Sequence, residues 1–178
     1  EIAVIVAEGD ISVDGTGMSS SEVCEYFSKV RNNKNIKAVV FRVNSPGGSA
    51  LASEEIWREV SLTNKKKPVI VSMGDLAASG GYYVSTAASR IFANPSTITG
   101  SIGVFGVIPY TGKMFENKLG IEFDYASTHS HSVFSLNKKL TEEELEITQE
   151  EVDEIYQLFL SRVAVGRKLE VEQVHKIA

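Results

Sequence analysis

Cysteine is nearly absent: Cys24 is the only one among 178 residues, so no internal disulfide and no thiolate metal cluster can be built. Long apolar runs are missing too. None approaches the roughly 18 residues that span a bilayer, and Glu1 to Val6 has the pattern of a strand rather than a signal peptide. Any membrane anchor is therefore expected outside these residues. Basic patches are scarce, with Lys65-Lys66-Lys67 the only basic run and a net charge of −5, which argues against nucleic acid as a partner. No internal sequence repeat is visible. Eight acids between Glu142 and Glu154 form the exposed face expected of one helix rather than a metal site. What remains, 43% hydrophobic and 23% charged, is the balance of a single globular domain over residues 1–178. The chain opens in an apolar run and stops at Ile177-Ala178 without a capping signal, so it is expected to be a fragment of a longer protein.

Apolar spacing orders the elements. Ile2 to Val6, Ala38 to Val43, Val69 to Met73 and Arg90 to Ala93 are strands, with a short one around Ile11 and Val13. A helix follows the Ser19-x-x-Glu22 capping box and runs to about Arg31, and another carries Ala52, Ile56 and Val60. Short helices are expected over Tyr82 to Ala88 and Lys113 to Leu119, the second ending at Gly120, then a strand over Ile121 to Tyr125 and a loop to Ser135. Thr141-x-x-Glu144 caps a long final helix whose buried face is Leu145, Val152, Ile155, Phe159 and Val163. Strands separated by helices imply an α/β fold with parallel pairing and helices covering a twisted sheet.

Three glycine-rich turns fall at or beyond strand ends, the edge where open α/β sheets place their sites. In Asn44-Ser45-Pro46-Gly47-Gly48, the glycine amides can approach a bound carbonyl closely, beside a helix start that adds positive potential. Ala77-Ala78-Ser79-Gly80-Gly81 leaves one hydroxyl uncovered between tiny residues, with the Gly80 amide beside it, which suits a nucleophile and an oxyanion donor. Either pattern alone is also what close packing of a helix on a sheet produces, and Ser101 alone is as well explained as a turn residue.

Asn44-Ser45-Pro46-Gly47-Gly48-Ser49, Met73-Gly74-Asp75-Leu76-Ala77-Ala78-Ser79-Gly80-Gly81-Tyr82-Tyr83 and Thr99-Gly100-Ser101-Ile102-Gly103-Val104-Phe105-Gly106, in this order, resemble the signal peptide peptidase A, or protease IV, family. The resemblance implies a Clp protease/crotonase-like fold of repeated strand-strand-helix units and a Ser/Lys dyad without metal or other cofactor. It assigns Ser79 as nucleophile, Gly47 and Gly80 as oxyanion donors, and Ser101 as the residue that orients the lysine. Cleavage of signal peptides, a membrane-associated extracytoplasmic location in a bacterium (periplasmic if Gram-negative) and a ring-like homo-oligomer are implied with it.

The lysine itself is missing. Counted back from Leu140-Thr141-Glu142, the position that holds it in short family members carries His131, and the aspartate position carries Ser132. Long members are tandem duplications in which an N-terminal repeat supplies the lysine, and the chain matches the C-terminal, serine-bearing repeat. Inside the chain, His129, His131, Lys138 and Lys139 fall in polar surroundings, and His175 lies on the polar side of the last helix. A crotonase-like acyl-CoA enzyme and a silent repeat serving assembly or binding are the alternatives.

Overall fold

The computed structural model describes residues 1–178, which divide into two compact units, one of residues 1–103 with 156–178 and one of residues 104–155. The first unit is built on a parallel sheet of five strands: β1 (Ile2–Glu8), β4 (Ala38–Ser45), β5 (Val69–Ala78) and β6 (Arg90–Phe92) in that order, with β7 (Ile98–Gly100) pairing the far end of β5. Two short strands, β2 (Ile11–Ser12) and β3 (Met18–Ser19), form a separate parallel pair. The helices are α1 (Ser20–Asn32), α2 (Ala50–Asn64), α3 (Gly80–Ser85), α4 (Gly112–Leu119), α5 (Glu142–Arg167) and α6 (Val171–His175). None is long and apolar enough to cross a membrane.

Alternation along β4 explains how the sheet is covered. Val39, Phe41, Val43 and Ser45 are buried, and the three apolar ones meet Phe27 of α1 and Ile56 and Val60 of α2 in one core. Phe27 and Phe41 pack edge to face at 5.0 Å, and burying one such ring contributes about 1.5–3 kcal/mol. On the opposite face, the row Val6, Arg42, Ser72, Phe92 leaves Val6 and Phe92 more than half exposed, so helices cover the sheet on one face only. The Ser19 hydroxyl accepts the Glu22 N–H at the start of α1, as its capping spacing predicts.

β5 is longer than the apolar run that announces it. Val43 pairs with Met73 but Ser45 pairs with Ala77, so β5 bulges through Gly74, Asp75 and Leu76. The Asn44 side chain fills the bulge: its Oδ1 accepts the Leu76 N–H at 3.1 Å and would sit 2.6 Å from any Cβ at Gly74. The strand thus continues past Gly74 and ends at Ala78, one residue before Ser79.

In the second unit, α4 ends at Gly120 in the left-handed conformation (φ 64°), as expected of a glycine C-cap. The strand expected over Ile121 to Tyr125 is not formed; these residues pair with no strand, and Ile121, Phe123 and Tyr125 are exposed. Thr141 and Glu144 form the full reciprocal box at the start of α5, Thr141 N–H to Glu144 Oε2 at 2.9 Å and Glu144 N–H to Thr141 Oγ1 at 3.2 Å. Along α5 the expected apolar face divides, because Phe159 and Val163 are buried whereas Leu145 and Ile155 are exposed.

Candidate active site

The C-terminal edge of the sheet gathers the three glycine-rich turns in the first unit. β5 hands over to α3 through Ser79 alone, and a one-residue strand-to-helix turn forces an unusual backbone: Ser79 sits at φ 50°, ψ −120°. A non-glycine residue there costs on the order of 1–3 kcal/mol and persists only when its surroundings hold it. Its N–H donates to the Gly100 carbonyl at 2.9 Å, and its own carbonyl accepts the Tyr83 N–H at 2.8 Å. The residue is half-buried, between the core and solvent.

The turn after β4 lies against it. A Cβ at Gly47 would fall 2.7 Å from the Gly80 nitrogen, 2.8 Å from the Ser79 Cβ and 3.1 Å from its Oγ, and Gly47 has φ 105°. Glycine is therefore demanded twice, by contact and by conformation. A Cβ at Gly81 would lie 2.6 Å from the Ser45 carbonyl, so two strand-end turns pack backbone on backbone. Gly80 opens α3, where the first N–H groups of a helix have no partner within it.

The Gly47 N–H, expected as an oxyanion donor, donates to the buried Ser45 Oγ at 3.1 Å and is engaged inside the turn. The neighbouring Gly48 is exposed, and its bridge to Ile11 runs through the Gly47 carbonyl and the Ser49 N–H, so its own N–H points away from Ile11. Gly48 and Gly80 carry the available amides. The distinction depends on the Ser45 hydroxyl, and the pair Gly47-Gly48 offers no sequence signal for it.

Ser101 follows directly on Gly100, which pairs with Ala78 and whose carbonyl takes the Ser79 N–H. It is exposed, with φ 51°. Behind α3, the Tyr83 hydroxyl donates to Glu54 at 2.5 Å, Arg162 donates to the same carboxylate, and the Arg162 guanidinium stacks on Trp57 at 3.8 Å. Burial, with the Glu54 carboxylate beside it, pushes the Tyr83 hydroxyl well above its usual range. This cluster ties α2, α3 and the end of α5 together and is signalled by no motif.

A family model, Peptidase family S49, matches residues 61–178, about two-thirds of the chain. The chain belongs to peptidase family S49. It is 42% identical over 182 residues to Protease 4 of Salmonella typhi, covering 99% of the chain and 29% of that protein. It is 37% identical over 187 residues to "Serine protease SPPA, chloroplastic" of Arabidopsis thaliana, covering all of the chain and 28% of the relative. A "Putative signal peptide peptidase SppA" of Enterococcus faecium is 37% identical over 153 residues, 84% of the chain and 44% of the relative. The chain thus spans under a third of the first two relatives. Among solved structures, a point mutant of ClpP1 from Listeria monocytogenes superposes with a TM-score of 0.64 at 17% identity, over 97% of the chain and 77% of that one, which shows a Clp protease-like fold.

The other candidate bases of the S49 chain are charge-paired, hydrogen-bonded or exposed. Lys138 Nζ contacts Glu144 Oε1 at 2.6 Å, and His131 lies 3.4 Å from Glu143 and 3.6 Å from Glu144, all within the second unit. The Lys138 ammonium, with the Thr141 N–H, holds the Glu144 carboxyl down at about 2. His129 is exposed with Nδ1 at 3.0 Å from the Thr128 hydroxyl, Lys139 is exposed, and His175 Nδ1 lies 2.8 Å from the Tyr156 hydroxyl. In the first unit, Lys37 precedes β4 and Lys65, Lys66 and Lys67 precede β5, at the edge of the sheet opposite Ser79.

Proposed function

We propose that Ser79 is the nucleophile of a serine endopeptidase that cleaves signal peptides and similar membrane-associated peptides, and that its base is a lysine supplied by another repeat. The observation that carries the reading is the strained turn at Ser79, with the Gly47 backbone beneath its Oγ and the Gly80 amide beside it. Strain of that kind at a half-buried hydroxyl has no structural use, and it exposes an oxygen to attack a carbonyl. A neutral lysine takes the Oγ proton, Oγ bonds to the scissile carbonyl carbon, and the Gly48 and Gly80 N–H groups receive the oxyanion. Collapse expels the amine, which takes the proton back from the lysine, and water then hydrolyses the ester by the same route. Ser101, one residue beyond the carbonyl that holds the Ser79 N–H, is suited to orient the incoming lysine.

The relatives named proteases and signal peptide peptidases support this substrate class, and their greater length supports a second repeat within the same protein. A membrane segment elsewhere in the protein, an extracytoplasmic site and a homo-oligomeric ring belong to the same proposal. Crotonase-type enolate chemistry would give the Ser79 hydroxyl no role, and a silent repeat would have no cause to maintain its backbone strain. The test is Ser79→Ala in the full-length protein. Peptidase turnover is expected to vanish while circular dichroism and the unfolding temperature stay near wild type, and surviving turnover would sink the assignment.

A further inference from the structure

Both available amides of the site meet one residue outside the three motifs. β2 runs beside the turn after β4, and Ile11, 3% exposed, bridges it on both sides: its N–H donates to the Gly47 carbonyl at 2.8 Å, and its carbonyl accepts the Ser49 N–H at 2.8 Å. Gly48 is clasped between these bonds. A Cβ on it would fall 2.2 Å from the Ile11 carbonyl oxygen and 2.7 Å from the Ile11 nitrogen, so the approach is backbone on backbone. Gly48 is thus a glycine because of Ile11, and its N–H is turned to the other side. The Ile11 side chain packs on the residue that carries the second amide: its Cδ1 lies 3.1 Å from where a Cβ of Gly80 would stand. The Ser53 hydroxyl stands against the same point, 2.6 Å from it, so Ile11 and Ser53 together close the space beside Gly80.

We infer that Ile11 is a positioning residue for the oxyanion donors, its main chain setting the direction of the Gly48 N–H and its side chain setting where Gly80 stands. The inference rests on the proposed catalytic role of Ser79. Oxyanion donors act only when aimed at the oxygen of the transition state, and a displacement of about 1 Å in a site can cost about 10²-fold in rate. A residue that aims them therefore affects the transition state and leaves ground-state binding alone.

The test uses the full-length protein with a peptide substrate and a matching peptide aldehyde, whose carbonyl carbon takes the Ser79 Oγ and whose oxygen then carries the charge. Ile11→Val removes Cδ1 and keeps both main-chain bonds; Ile11→Pro removes the N–H given to Gly47. Expected is a fall in kcat of about 10-fold for Ile11→Val and about 10²- to 10³-fold for Ile11→Pro, with the aldehyde weakened by the same factor and KM within about twofold. Ile11→Leu, which restores a terminal methyl, should recover most of the kcat lost in Ile11→Val. The inference is overturned if Ile11→Val keeps full kcat, or if aldehyde affinity and KM change together, the pattern of simple structural damage. Should Ile11→Pro fail to fold, Ile11→Val and Ile11→Leu decide alone. An inactive Ser79→Ala beside normal Ile11 variants rejects the positioning role only, whereas an active Ser79→Ala rejects the nucleophile itself.

Discussion

At Ser79 the backbone stands at φ 50°, where glycine would rest without strain and serine does not. Replacing it separates function from stability. Ser79→Gly is expected to raise stability by about 1 kcal/mol, an upward shift of about 2–4 °C in a chain of this size, while Ser79→Ala, which keeps the strain, is not. Calorimetry of the two variants side by side checks this, and equal unfolding temperatures would place the strain elsewhere. Gly47→Val puts a branched side chain 2.7 Å from the Gly80 nitrogen at φ 105°, with no flexible neighbour to yield. It should lose turnover and unfold at lower temperature, and normal kcat/KM in that variant would detach Gly47 from the site. The serine and its flanking glycines are legible in the sequence because only tiny residues uncover a hydroxyl. Which amide of the pair Gly47-Gly48 is left without a partner is not, since that depends on a hydroxyl at Ser45 and a strand around Ile11.

Among elements, those with a local cause are the readable ones. The caps at Ser19 and Thr141 and the glycine stop at Gly120 are written within four residues of where they act, and the parallel order of β1, β4, β5 and β6 follows from apolar runs separated by helical ones. The apolar run of β5 stops at Met73, and its continuation depends on Asn44, some thirty positions earlier, filling the bulge at Gly74. Ile121 to Tyr125 has strand-like residues and no partner to pair with, and pairing is a tertiary event that periodicity does not contain. The start of α5 gives a pH test. The folded carboxyl of Glu144 titrates at about 2, below its ordinary value of 4.5, so its contribution to the second unit is complete above pH 4.5 and is lost as pH falls towards 2. Lys138→Met should move that titration upward, as followed by carboxyl carbon NMR. A Glu144 that titrates near 4.5 with Lys138 intact would contradict the pairing.

For the whole molecule, the charge layout supports the proposal that the base comes from another repeat. Ser79 follows a ten-residue strand that Lys65, Lys66 and Lys67 precede, a distance of about 30 Å along an extended strand, and Lys67 already donates to the Val30 and Asn33 carbonyls. A lysine general base must be desolvated and close to the hydroxyl, and the chain's other candidates are charge-paired or exposed. The chain spans under a third of the length of the Salmonella and Arabidopsis relatives, and proteins of that length have room for the proposed second repeat. The proposed mechanism therefore divides the labour, with the nucleophile here and the base in another repeat. The most direct measurement of that division is the rate and position of fluorophosphonate labelling, mapped by mass spectrometry, in the full-length protein and in residues 1–178 alone. The label is expected on Ser79 in both, about 10²- to 10⁴-fold more slowly in the shorter chain, which lacks its base. Labelling at another residue, or equal rates on Ser79 in the two proteins, would contradict it.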